Sequence, residues 1–164
     1  ASAFTGSRDE ICPYLFDEAI APHIAAERTD KPVNLSVIQG AFERLVSDFD
    51  SVVVEGVGGW RVPISSSEDI QSLARRLNLP VIVVVGIRLG CINHGLLTLD
   101  AVSDSTVPVV GWVANELDPV NTEFSESVEA LRLRSIIPML GQCGYGQNKI
   151  DWTPEFNLRN QLNI

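Results

Sequence analysis

Residues 79 to 94 run LPVIVVVGIRLGCINH, and this stretch decides the fold. Pro80 opens Val81-Ile82-Val83-Val84-Val85, which is apolar at every position rather than at alternate ones. A strand apolar on both faces belongs to a parallel sheet covered by helices on either side, so this run is expected to be a central strand. A loop from Gly86 to Gly90 follows, then a helical stretch from Cys91 to Ser103.

The pattern repeats outward in both directions. Towards the N-terminus, Leu35, Ile38, Phe42, Leu45, Val46 and Phe49 recur at three- and four-residue spacing and predict an amphipathic helix over roughly 34 to 49. Ser51-Val52-Val53-Val54-Glu55 predicts a short buried strand that stops at the glycine turn Gly56-Val57-Gly58-Gly59. Ser67 to Asn78 predicts a helix with Ile70, Leu73, Ala74 and Leu77 on one side and Ser67 at its cap. Towards the C-terminus, Val107 to Val113 predicts another buried strand, Thr122 to Arg134 a helix, and Ile136 to Leu140 a last short strand.

Ala1 to Lys31, interrupted by Pro13 and Pro22 and followed by Pro32, carries no clear pattern, nor does the tail from Gly141. The alternation predicts an α/β fold: a parallel sheet with helices on both faces, in one domain spanning 1–164. Ligands in such sheets bind beyond the carboxyl ends of the strands. Function is therefore expected at Glu55–Gly59, Gly86–His94 and Asn115–Asp118.

Composition narrows the class. The 164 residues, 45% hydrophobic and 20% charged, suffice for one ordinary core. A net charge of -9 and pI near 4.6 would repel a polyphosphate backbone, so nucleic acid is not an expected partner. No run approaches the roughly 18 apolar residues of a membrane span, and no basic region leads an apolar one at the N-terminus. A cytoplasmic location without membrane contact is expected. Cys12, Cys91 and Cys143 are widely spaced, without a CxxC pair, and are expected to be reduced thiols.

Three features invite chemistry. Glu55 at a strand end before a glycine turn suits a Mg²⁺-binding carboxylate; equally, it suits a carboxylate that bonds to the turn's own amides. Gly86 to His94 puts a helix start after a strand, where free N–H groups favour a carboxylate or phosphate. The alternative is an ordinary connecting loop with Arg88 solvated and His94 capping or packing. Asn115 offers a paired donor and acceptor that fit a purine edge, although Asn is also a common turn residue. Trp60 and Trp112 are expected to pack, and His23 has no evident acidic partner. GxSxG, HExxH, GxGxxG and GxxxxGK[ST] do not occur in the sequence.

Taken together, VVVEGVGGWRVPIS at 52 to 65, LPVIVVVGIRLGCINHGLLTLDAV at 79 to 102 and GWVANELDP at 111 to 119 resemble the bacterial dethiobiotin synthetase family, and ICPYLFDEAIAPHIAA at 11 to 26 resembles the segment preceding them. The resemblance implies a P-loop NTPase-like α/β fold and a homodimer. It also implies conversion of 7,8-diaminopelargonic acid, CO2 and ATP into dethiobiotin, ADP and phosphate. In that reaction a carbamate on the substrate is phosphorylated to a mixed anhydride, and the second amine closes the ring.

By resemblance, Glu55 is catalytic and a Mg²⁺ ligand, Gly58 and Asn115 bind the nucleotide, and Gly90, Cys91, Ile92 and Asn93 hold the substrate carboxylate. The family begins with a strand, P-loop and helix, a unit of roughly 30 residues or more, then a basic motif and a metal-binding aspartate. None has a counterpart before Ala1, so the fold is expected to lack its first β-strand/P-loop/helix unit and the chain alone to be inactive. The rival expectation is a P-loop-less module that binds a ligand or dimerises. Ser127 stands where the family can offer a tyrosine, Gln142-Cys143-Gly144 where an Ile-Pro pair lines the adenine pocket, and Arg88 where a lysine is expected.

Overall fold

A computed structural model describes residues 7–120, 122–154 and 156. The chain divides into two units, residues 1–77 and 78–164.

The first unit is helical among its described residues: α1 (Arg8–Ile11), α2 (Pro22–Thr29), α3 (Leu35–Asp48) and α4 (Ile70–Leu77). α2 lies in a region without a sequence pattern. Pro22 occupies its first turn, where a missing N–H does no harm, and Asp30 ends it in the left-handed conformation at φ 51°. α3 matches its expected bounds closely, although Val46 and Phe49 of its expected apolar face are exposed, and the Asn34 side chain caps it by accepting the Ser36 N–H at 2.8 Å. Leu35, Ile64 and Leu73 form a small core that Val33, Ile38, Ile70 and Leu77 enlarge. Arg76 ties α4 to α3 by donating to the Gln39 side-chain oxygen at 2.7 Å and the Ser36 hydroxyl at 2.9 Å.

Two expectations in this unit are corrected. The helix expected from Ser67 starts at Ile70, because Asp69 rather than Ser67 caps it: its carboxylate accepts the Ser72 N–H at 2.9 Å and the Ser72 hydroxyl at 3.0 Å. The strand expected at 51–55 is not formed. The segment has no ladder partner among the described residues, and Val53 is 94% exposed. β-branched composition supplies only half of a strand; the other half is a neighbour to pair with.

The second unit alternates strand and helix: β1 (Val81–Ile87), α5 (Cys91–Ser103), β2 (Val109–Glu116), α6 (Phe124–Arg134), β3 (Met139–Cys143) and β4 (Asp151–Trp152). The sheet order is β1-β2-β3-β4, with β1, β2 and β3 parallel and β4 antiparallel to β3. This is the α/β, mostly parallel architecture expected from the sequence. β1 nevertheless stands at an edge of the described sheet rather than its centre, and Val84 is 64% exposed. The apolar run reports what can cover a strand's faces, not how many strands flank it.

Both helices of this unit pack on one face. Val85, Ile87, Trp112 and Ala114 from the sheet meet Cys91 and Leu99 of α5 and Val128 and Leu131 of α6. A Cβ on Gly95 would lie 2.9 Å from Leu131 and 3.3 Å from Val85, so glycine permits the close approach of α5. On the other face Val110, Val113 and Leu140 are joined by Ile82, Ile150 and Phe156. The expected last strand starts only after Pro138, which has no N–H for a ladder, and runs on to Cys143.

Asp69 gives a pH test of the first unit. Burial pushes its carboxyl up, but hydrogen bonds from Ser72 and the hydrogen bond and charge of Arg61, which donates to it at 2.8 Å, outweigh this and leave the pKa below the ordinary value. A folded-state pKa below the unfolded one means the contribution is present above pH ~4 and is lost as pH falls through the folded value. Asp69→Ala is expected to lower stability by about 1 kcal/mol near neutral pH through loss of the cap. In thermal unfolding of both proteins, that difference should shrink progressively in acid.

Candidate functional site

In the first unit Glu55 ends an extended, exposed segment, and Gly58 (φ 73°) and Gly59 (φ 134°) turn the chain immediately after it. The Gly59 N–H closes a tight turn onto the Val57 carbonyl at 2.9 Å, and the Val62 N–H donates to the Gly59 carbonyl at 3.2 Å. The alternative in which Glu55 bonds to the turn's amides is not realised. Its carboxylate has no hydrogen-bond or ionic partner among the described residues.

No cluster of three or more His, Cys, Asp or Glu suited to a metal occurs among the described residues. An unpartnered, accessible carboxylate still fits Mg²⁺, which keeps several waters and takes one or two carboxylates alongside nucleotide phosphates. Nearby, an open groove of about 510 Å³ is lined by Arg61, Ser65, Glu68, Asp69 and Arg75. Its two cations and two carboxylates balance, and none of the candidate site residues lines it. His23 meets the Pro63 carbonyl at 3.3 Å.

In the second unit the carboxyl ends of the parallel strands are aligned. Gly86 of β1 pairs in register with Asn115 of β2, which pairs in turn with Cys143 of β3. Three expected or adjacent segments therefore leave the sheet at one edge: the loop into α5, the residues after Asn115, and the turn after Cys143. Gly90 precedes α5 in the left-handed conformation at φ 89°. The Cys91 N–H turns back onto the Arg88 carbonyl at 2.9 Å, and the His94 N–H reaches the Gly90 carbonyl at 3.2 Å. Between them the N–H groups of Ile92 and Asn93 have no acceptor among the described residues, while both side chains and His94 are exposed. Cys91 is buried beneath, anchoring the helix start in the core. Two oriented donors at the positive end of a 13-residue helix suit an anionic group.

Glu116 lies within the expected 115–118 segment, but the sequence assigned it no role of its own. Its Oε2 accepts the Tyr145 N–H at 2.9 Å across 29 positions, joining the end of β2 to the turn after β3. Only its place beside Asn115 signalled it, because no local periodicity reports so distant a contact. Trp112, expected to pack, is fully buried and donates its Nε1 hydrogen to the Ile137 carbonyl at 3.2 Å. Trp60 is also buried, and its Nε1 has no partner among the described residues. All three cysteines are free thiols.

A family model for an AAA domain matches residues 3–147. The chain belongs to the AAA domain family. Among this AAA-domain protein's curated relatives, a protein from Nitrosospira multiformis is 47% identical over 148 residues, covering 90% of this chain and 66% of the relative. One from Aromatoleum aromaticum is 46% identical over 141 residues, covering 86% and 63%. One from Photobacterium profundum is 38% identical over 136 residues, covering 83% and 62%. Each is named ATP-dependent dethiobiotin synthetase BioD, which bears out the resemblance found in the sequence. The chain spans 62 to 66% of the length of these three relatives. Its α/β sheet is that of a P-loop NTPase-like fold.

Proposed function

We propose that this chain carries the substrate-holding and base-reading half of an ATP-dependent dethiobiotin synthetase. The reaction is 7,8-diaminopelargonic acid, CO2 and ATP to dethiobiotin, ADP and phosphate. The observation that carries the reading is the start of α5, where the Ile92 and Asn93 N–H groups stand open at the same sheet edge as Asn115. The relatives' printed names supply the reaction class.

Each residue has a task that its position supports. Gly90 sets the helix start, and the Ile92 and Asn93 amides with the Asn93 side chain hold the carboxylate of 7,8-diaminopelargonic acid. Cys91 fixes that loop from below. Asn115 pairs with the adenine edge through its carboxamide. Glu55, just before the Gly58-Gly59 turn, is the residue that would hold Mg²⁺. When bound there, the ion would offset negative charge on the ATP phosphates. Gly58, without a side chain, lets phosphate oxygens approach the turn.

The two units belong to one synthetase domain that works as a homodimer in the cytoplasm, again by likeness to the family. GxxxxGK[ST] does not occur in the 164 residues, so turnover depends on a phosphate-binding segment supplied from outside them.

Substrate binding tests this without turnover. Titration calorimetry of 7,8-diaminopelargonic acid into the chain should show saturable binding that Asn93→Ala weakens about tenfold, the size expected for loss of a hydrogen bond to a charged group. Equal binding by both proteins would sink the assignment of the loop. An ATP analogue that binds only once a P-loop segment is added supports the synthetase reading, whereas ligand held without that segment favours the ligand-binding module instead.

A further inference from the structure

The turn after β3 is held by one local hydrogen bond and one from a distant strand end. The Gln147 N–H donates to the Gly144 carbonyl at 3.1 Å, and Gly146 stands at φ 66°, a value that favours glycine. Cys143, at the start of this turn, is the register partner of Asn115. Tyr145 sits within it, 54% exposed. Its backbone N–H is held by the Glu116 carboxylate, one residue beyond Asn115. Successive strand residues face opposite sides of a sheet. Asn115 and Glu116 therefore serve different purposes: one is free to meet a ligand while the other grips the turn.

We infer that Glu116 is a positioning residue for purine recognition: through the Tyr145 N–H it fixes the 144–147 turn, which carries the exposed Tyr145 ring and follows Cys143, the register partner of Asn115. This rests on the reading of Asn115 as the adenine contact. A purine offers a polar edge and an apolar face. Asn115 suits the edge, and an aromatic ring suits the face, because stacking accepts any base while the carboxamide discriminates. A carboxylate acceptor makes a stronger hydrogen bond to a backbone N–H than a neutral group does.

Adenosine and guanosine isolate the base from the phosphates, so the test can use the 164-residue chain itself. Amide chemical shifts at Asn115 and Tyr145 would be followed in titrations with each nucleoside. The wild type should show saturable shifts with adenosine and weaker binding of guanosine. Glu116→Ala should weaken adenosine about tenfold and flatten the adenosine-to-guanosine preference, whereas Glu116→Gln, which keeps an acceptor, should stay within about twofold. Gly146→Ala, which strains the same turn independently, should weaken adenosine in the same direction.

A merely structural role would lower thermal stability in Glu116→Ala without altering the preference between bases, and that result overturns the inference. If Asn115→Ala loses adenosine while Glu116→Ala binds like the wild type, the inference falls and the Asn115 reading stands. If the wild type shows no saturable shift, the Asn115 reading falls and takes this inference with it.

Discussion

Trp112→Ala is expected to destabilise the protein by roughly 3–5 kcal/mol, the range for truncating a buried aromatic residue. Trp112 is 0% exposed, the largest fully buried side chain, and sits where β2 meets Val85, Leu99, Val128 and Leu131. Truncation opens a cavity at the meeting of one sheet and two helices, and it strips the Ile137 carbonyl of its indole donor. The loss would consume much of the stability of an ordinary domain. Denaturant unfolding followed by circular dichroism should show a much lower midpoint or no cooperative transition. Trp112→Phe should recover most of the packing but not the hydrogen bond, leaving a deficit of about 1 kcal/mol from that bond.

The second large effect falls on chemistry. Glu55→Gln is expected to reduce turnover at saturating substrates by at least about a hundredfold, because a neutral amide replaces the carboxylate proposed to hold Mg²⁺. The side chain is exposed and without a partner among the described residues, so the fold should not register the change. Unchanged unfolding together with lost turnover would place Glu55 in the reaction. Unchanged turnover would return it to the solvated surface of a glycine turn. The measurement is made with the phosphate-binding segment present, since both proteins are expected to be silent without it.

Much of the second unit was legible before its structure. Val81 to Val85 and the span Cys91 to Ser103 translate directly into β1 and α5, because an unbroken β-branched run and a glycine before a helix are local instructions. Gly86, Asn115 and Cys143 share one register row, so the loop into α5 and the Asn115 segment, both expected to carry function, leave the sheet together. Misreadings came where the deciding partner lay elsewhere. Val52 to Val54 have the composition of a strand, yet no described segment pairs with them. α2 was hidden by Pro22, a helix breaker in the interior but a good first residue. Asp69 displaced Ser67 as the α4 cap, since a carboxylate with Ser72 and Arg61 as donors outcompetes a lone hydroxyl. Glu116 fell within the expected 115–118 segment, but its contact had no local signal because the partner, Tyr145, lies far along the chain.

These failures share a cause. Periodicity records which face of an element is apolar, whereas pairing, capping and long-range hydrogen bonds depend on which residues arrive from a distance. The site therefore divides in the same way. The helix start at Gly90 to Asn93 could be argued from local physics; the identity of the anion and the base came from resemblance.

The most direct test of the account is Mg-ATP-dependent formation of dethiobiotin from 7,8-diaminopelargonic acid by the purified 164-residue chain, with and without a separately supplied N-terminal P-loop segment from a dethiobiotin synthetase. The account predicts product only when the segment is present. Equal product from the chain alone, or none even with the segment bound, would contradict it.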